Sequence, residues 1–210
     1  GRDVTLPEIH RDPNDLLFLA STGGSTGEPK SVMLNDNCFN IAVHQLMHSD
    51  LPYDGGDRWI RLWPLFSATA AVANNHLPLC AGMNMLIRPF PVDISDFDQI
   101  IMYAKPHHMM LIPQLLDVLE NSSLIKDVDF SYVKSVGCGG LGITKQFEER
   151  VAAFFEKHNM SCFLGFGWGC TESSAVAAHR YDRRTTVIGT VGAPLVNTIV
   201  SVFDPEDGHE

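Results

Sequence analysis

The chain of 210 residues sets 15 Lys+Arg against 25 Asp+Glu, a formal net charge of −10, with 45% hydrophobic and 19% charged residues. This mixture is too apolar for a disordered segment and has no Lys/Arg cluster with which to coat nucleic acid or an anionic membrane. No apolar run approaches the roughly 18 residues of a membrane span, and the polar start GRDVTLPEIHRDPND has no signal-peptide pattern, so a cytoplasmic protein is expected.

Residues 1–15 show no period and read as a leader or linker. Leu16-Leu17-Phe18-Leu19-Ala20 reads as a strand buried on both faces. A helix over about 35–49 follows, opened by Asn35 or Asp36 as N-cap. Trp59 to Trp63 is the next predicted strand, then an Ala-rich helix at about 67–81 and a short strand at 85–87. A helix at about 95–104 places Phe97, Ile100, Ile101 and Ala104 on one face. Strands are predicted at 108–112 and 132–136, with a short helix at 113–120 between them. The helix at about 144–158 turns Phe147, Val151, Phe154 and Phe155 inward and Lys145, Glu148, Glu149 and Lys157 outward. A strand at 161–164 and a last one at 198–203 complete the pattern.

Such alternation predicts βαβ units, hence an α/β fold with a mostly parallel sheet and helices on both faces. Ligands of such sheets bind beyond the carboxyl ends of the strands. The five cysteines (Cys38, Cys80, Cys138, Cys162 and Cys170) are scattered without a C-x-x-C pair, as structural thiols in a reducing compartment should be. The start on Gly and the stop at DPEDGHE, which resembles a hairpin turn without its second strand, are expected of a piece of a longer protein.

Three glycine-rich runs stand out. Ser21-Thr22-Gly23-Gly24-Ser25-Thr26-Gly27-Glu28-Pro29-Lys30-Ser31 combines a backbone free to turn its N–H groups inward, several hydroxyls and one Lys charge, a cradle for polyphosphate. It is not a Walker A loop, because Pro29 stands where the second glycine must be and removes a backbone donor. Gly23 to Gly27 also satisfies the G-x-S-x-G elbow of serine hydrolases, a second reading. Gly137, Gly139 and Gly142 match G-x-G-x-x-G between a strand and a helix, yet the next strand ends in Gly165-Phe166-Gly167-Trp168, without the ribose-binding acid of a dinucleotide fold. In the third run, Gly165 to Ser173, Trp168 is either a core residue or a plane for a flat ligand. Glu172 either fronts a helix or is a hard ligand for Mg²⁺.

Taken together and in order, these runs resemble the motifs of the adenylate-forming superfamily, which includes acyl-CoA synthetases, peptide-synthetase adenylation domains and luciferases. TGGSTGEPK (Thr22 to Lys30) resembles its phosphate loop. CGGLGI (Cys138 to Ile143) is similar to its adenine-side motif, departing from it at Leu141 and Gly142. WGCTE (Trp168 to Glu172) resembles YG-x-TE, and GTVGAP (Gly189 to Pro194) a later stretch.

The resemblance implies attack of a carboxylate on the α-phosphate of Mg·ATP, then acyl transfer to a thiol such as that of CoA. It implies phosphate contacts at Thr22, Gly23, Gly24, Ser25, Thr26, Gly27 and Lys30. It places Gly139, Gly140, Leu141, Trp168 and Gly169 at the nucleotide, Thr171 at the α-phosphate and Glu172 on Mg²⁺. The partners implied are ATP, CoA and a small carboxylic acid. Ser67 stands where the family often has His, and Gly169 where acetate-specific members carry Trp, so a longer or aromatic acid is expected.

By the same resemblance the chain covers residues 16–210 of a partial N-terminal domain, without the C-terminal domain and its catalytic Lys, and is expected to be inactive alone. A non-catalytic nucleotide-binding module with the same fold is the competing reading.

Overall fold

The computed structural model describes residues 8–22, 28–88, 93–162, 164–180 and 186–209. Its frame is a seven-stranded sheet in the order β4-β3-β5-β6-β7-β8-β9. The strands are β3 (Arg58–Arg61), β4 (Asn84–Ile87), β5 (His108–Leu111), β6 (Ser135–Cys138), β7 (Leu164–Trp168), β8 (Ala178–His179) and β9 (Ala193–Pro194). β3 to β7 run parallel, and β8 and β9 extend the edge antiparallel.

Side-chain alternation sends the two faces into two cores. Ile60, Met109, Leu111, Val136, Cys138, Leu164 and Phe166 join one cluster with α4 (Phe97–Ala104), α5 (Pro113–Asn121) and α6 (Lys145–Lys157). Trp59 and Met110 face the other, beneath α1 (Asp36–Met47), α2 (Ala68–Ala71) and α3 (Leu77–Cys80). Helices therefore cover both faces, as the sequence pattern predicts.

Local signals explain the helix starts. The Asn35 side chain accepts from Cys38 N at the head of α1, and Thr144 accepts from Phe147 N at the head of α6. Phe97, Ile100 and Ile101 of α4 are buried. The Ala-rich segment is continuous but not uniform, since a π-helical turn at Val72–His76 joins α2 to α3. That turn carries Asn74, wholly buried. All five cysteines are free thiols.

Four expectations are corrected. Leu16 to Ala20 lies in β1 (Leu16–Ser21), which is not in the parallel sheet; it pairs antiparallel with β2 (Ser31–Asn35) as a two-stranded hairpin. Only Ala20 of β1 is buried, because a two-stranded ribbon has a single packed face, and Leu17 and Leu19 lie exposed. The strand expected over 161–164 starts at Leu164 and runs through Trp168, so glycines read as loop are in the sheet. Residues 198–203 form no strand, although the turn after them exists, with Gly208 N donating to Asp204 O. Glu148, expected outward, is buried because Arg180 reaches it from beyond β8.

At the amino ends of the parallel strands, Ser135, His108 and Asp57 form a buried row. His108 Nδ1 lies 2.8 Å from Ser135 Oγ and Nε2 lies 2.9 Å from Asp57 Oδ2. Asp57 also accepts from Lys134 Nζ at 2.8 Å and meets His107 Nδ1 at 2.9 Å. The row resembles a hydrolase triad, but the amides of Lys134 and Ser135 beside it both donate to His107 O and so are not free as oxyanion donors. It is a tie among β3, β5 and β6.

Candidate active site

The hairpin of β1 and β2 closes on Thr22 and Lys30. Thr22 N donates to Lys30 O at 2.9 Å, and Lys30 N donates to Thr22 Oγ1 at 3.0 Å. Both ends of the first glycine run are therefore pinned together. Gly23, Gly24, Ser25, Thr26 and Gly27 lie outside the described residues. The run leads into strand β2 rather than a helix, which removes the strand–turn–helix context that a serine-hydrolase elbow needs.

Beyond the carboxyl ends of β5, β6 and β7 opens a cavity of about 220 Å³. Gly139, Gly140, Trp168 and Gly169 line it, together with Trp63, Met110, Val176 and His179. Gly140 adopts φ +82° with open space where a Cβ would stand, a backbone turn that favours glycine. Trp168, at the end of β7, is half exposed and stands beside these glycines. The neutral backbone and the aromatic face suit a flat heterocycle.

Among the described residues, Leu141, Thr171, Glu172 and Lys30 are not in that lining. Leu141 is exposed. Thr171 and Glu172 belong to a 3₁₀ turn, Thr171–Ser173, that follows β7. Glu172 lines a separate open groove with Asn35, Asn37 and Cys38 at the start of α1. Glu172 is exposed. A hard oxygen ligand on a solvent-facing turn fits Mg²⁺, which keeps several waters and binds through one or two carboxylates plus phosphate.

Gly169 does not leave the room expected of it. A Cβ there would sit 1.9 Å from Ala175 O, so the glycine admits the backbone of the turn after Glu172. Ser67 lines the cavity, but its Oγ accepts from Ala70 N at 3.2 Å and caps α2.

Glycines also alternate on one face of β6 and β7. Gly137 has only ordinary van der Waals neighbours, including Met110 Cγ at 3.8 Å. Where side chains of Gly165 and Gly167 would stand lies the His179 ring, 2.8 Å and 2.7 Å from their hypothetical Cβ positions. Burial, with help from neighbouring Arg180, lowers the His179 pKa to about 4, so the ring is neutral near pH 7.

Sequence reasoning missed Trp63, Met110, Val176 and His179. Trp63 Nε1 donates to Met110 O at 2.9 Å. The only signal available was the period-two glycine pattern in Gly137, Gly139, Gly165 and Gly167, a strand face stripped of side chains.

A parallel α/β sheet with a glycine-walled cavity at its carboxyl edge has its crevice where open sheets of this class bind their ligands. The fold matches the crystal structure of ATP-bound MatB from Rhodopseudomonas palustris with a TM-score of 0.83, at 20% identity, over 98% of this chain and 39% of that one. Residues 3–210 match the model of the AMP-binding enzyme family, and the chain belongs to that family. It is 29% identical over 211 residues to 4-coumarate-CoA ligase 2 of Petroselinum crispum, covering 96% of this chain and 37% of that protein. It is 30% identical over 215 residues to a long-chain-fatty-acid-CoA ligase of Haemophilus influenzae, covering 100% of this chain and 36% of that protein. The chain thus spans little more than a third of these relatives. No helix among its described residues is long and apolar enough to cross a membrane.

Proposed function

We propose that this chain is the nucleotide- and acid-binding part of an ATP-dependent carboxylate-CoA ligase. The observation that carries the reading is the cavity bounded by Gly139, Gly140 and Trp168 at the carboxyl edge of the parallel strands. The adenine lies against the Gly139–Leu141 backbone with Trp168 across its face. The Thr22–Lys30 closure holds the ends of the phosphate loop, whose Gly23, Gly24, Ser25, Thr26 and Gly27, with Thr22 and Lys30, are assigned the outer phosphates by the family resemblance.

The acid enters beside Trp63 and Ser67. Its carboxylate attacks the α-phosphorus and pyrophosphate leaves; the CoA thiol, losing its proton, then attacks the acyl carbonyl of the adenylate, and AMP leaves as the thioester forms. Thr171 contacts the α-phosphate. Glu172 would hold Mg²⁺, which would supply positive charge to the phosphate oxygens. Aligned backbone donors, rather than net charge, attract ATP to a chain of charge −10.

The test is acid-dependent pyrophosphate release by the protein that contains this chain, across short, long and aryl acids. Lys30→Ala lowers that rate by at least about tenfold, roughly 1.4 kcal/mol in the barrier. ATP binding without acid-dependent pyrophosphate release supports the non-catalytic module instead.

A further inference from the structure

His44 lies in the last turn of α1 and His48 at its C-cap, one helical turn apart, both exposed and outside the active-site cavity. Their rings stack with centroids 3.9 Å apart and planes inclined by 24°. The carbonyl of His44 accepts from the His48 amide at 3.0 Å and lies 2.8 Å from His48 Nδ1. A carbonyl can only accept, so in the neutral His48 ring the proton sits on Nδ1 and the Nε2 lone pair is left for another partner. Among the described residues no hydrogen bond holds the His44 ring, which can turn about Cα–Cβ to meet the same partner.

These are the conditions of a chelate. An imidazole that gives its Nδ1 proton to a backbone carbonyl is oriented and made more basic at Nε2, as metal-bound histidines are. Two nitrogens each about 2.0–2.1 Å from one ion lie roughly 3–3.5 Å apart, close to the spacing of the stacked rings. The carboxyl end of a 12-residue helix favours positive charge, and so does a chain of net charge −10. Among the described residues no three His, Cys, Asp or Glu side chains are grouped to hold an ion, so water fills the remaining positions.

Two other readings of these helices are weaker. His44-Gln45-Leu46-Met47-His48 has the spacing of the H-E-x-x-H zinc-peptidase helix, but Gln45 stands where the basic Glu is needed. Gln45 is also buried, its Nε2 donating to Val196 O at 2.7 Å and Thr198 Oγ1 at 2.9 Å, so the pair binds without a peptidase's base. His76 and Cys80 repeat the four-residue spacing beside α1, with Cys80 Sγ 3.6 Å from His76 Nε2. That nitrogen also meets Asn40 Oδ1 at 3.0 Å, and burial pushes the Cys80 thiol up, which keeps it protonated and a poor ligand.

We propose that His44 and His48 bind one divalent transition-metal ion of the nickel, copper and zinc group and so clip the last turn of α1 to its cap. Imidazole suits these ions, whereas Mg²⁺ takes oxygen ligands and does not compete. Cu²⁺ binds most tightly of the three. The site stands independently of the ligase reading.

Cu²⁺ added below one equivalent to the nucleotide-free protein that contains this chain tests the proposal, by calorimetry and by pulsed electron paramagnetic resonance. The resonance spectrum is expected to count two imidazole ligands. His44→Ala and His48→Ala each weaken Cu²⁺ binding by at least about tenfold, and excess Mg²⁺ leaves it unchanged. The double variant His76→Ala/Cys80→Ser keeps the wild-type affinity within about twofold. Zn²⁺ raises the melting temperature of wild type and not that of His44→Ala/His48→Ala, because an ion bound only by the folded chain stabilises it. Equal Cu²⁺ affinity in wild type and His44→Ala/His48→Ala, a spectrum with a single imidazole, or loss of the site in His76→Ala/Cys80→Ser overturns the proposal. Equal Zn²⁺ shifts in melting temperature overturn the clip.

Discussion

His108 Nε2 donates to Asp57 Oδ2 at 2.9 Å, with Lys134 Nζ on the same oxygen at 2.8 Å. Burial alone would raise the Asp57 pKa, but the hydrogen bonds from Lys134 and His108 and their charges outweigh it and bring the value down to about 2. A depressed carboxyl pKa contributes stability that is complete above the unfolded value near 4 and is lost as pH falls through 2. Asp57→Asn is expected to lower the unfolding free energy measured in urea at pH 7 by about 1–3 kcal/mol, since Lys134 loses its anionic partner. The gap between wild type and variant narrows as the pH falls from 4 to 2. A gap independent of pH in that window would show that the carboxylate charge is not what ties the strands.

His179 titrates with the opposite charge change but the same direction of stability. Its folded pKa near 4 lies below the unfolded value of about 6.5, so the unfolded chain binds the extra proton between these limits. Its contribution is fully present above pH 6.5 and declines on the way to pH 4, by an amount on the order of 3 kcal/mol. Denaturation curves at pH 7 and pH 4.5 should therefore converge for His179→Leu more than for wild type. Equal slopes would place the imidazole in contact with water.

Arg180 and Glu148 form a buried bidentate pair, with Nη1 at 2.5 Å from Oε2 and Nη2 at 3.1 Å from Oε1. Gly189 N and the carbonyl of Thr190 complete it, so the pair ties α6 to the turn before β9. Arg180→Met strands a buried carboxylate and should cost about 3–5 kcal/mol, whereas adding Glu148→Leu returns much of that loss. Guanidinium titration of the two single variants and the double variant measures the coupling. Additive losses would mean that the pair is not coupled.

Gly169 and Gly140 differ in why they are glycine. Gly140→Ala faces open space at positive φ and should cost about 1 kcal/mol. Gly169→Ala drives a Cβ into the Ala175 carbonyl and should displace the turn bearing Thr171 and Glu172. Thermal unfolding ranks the two, and a milder effect at Gly169 would contradict the close approach.

The strand and helix order was legible because it rests on local rules. Helical spacing of Phe97, Ile100 and Ile101, the caps at Asn35 and Thr144 and the apolar runs of β3 and β5 each act within a dozen residues. Where local and long-range terms compete, the reading failed. Leu16 to Ala20 is apolar enough for a central strand, yet its partner is the neighbouring β2, and half of it stays exposed. Glu148 has the spacing of a surface residue, and only the approach of Arg180, 32 residues on, makes its burial tolerable.

The candidate site divides along the same line. The glycine runs, Lys30, Trp168 and Glu172 stand out by residue type and order, because residue chemistry can be read from the sequence wherever the chain goes. Sequence alone therefore determined the α/β class, the family resemblance and the ends of strands at which to look. The tertiary structure decided that Gly165 and Gly167 admit the His179 ring, that Met110 lies against Gly137, and that Gly169 admits the Ala175 carbonyl. Cavities arise from what neighbouring strands and distant turns leave unfilled, and that depends on register and packing, which no local pattern encodes.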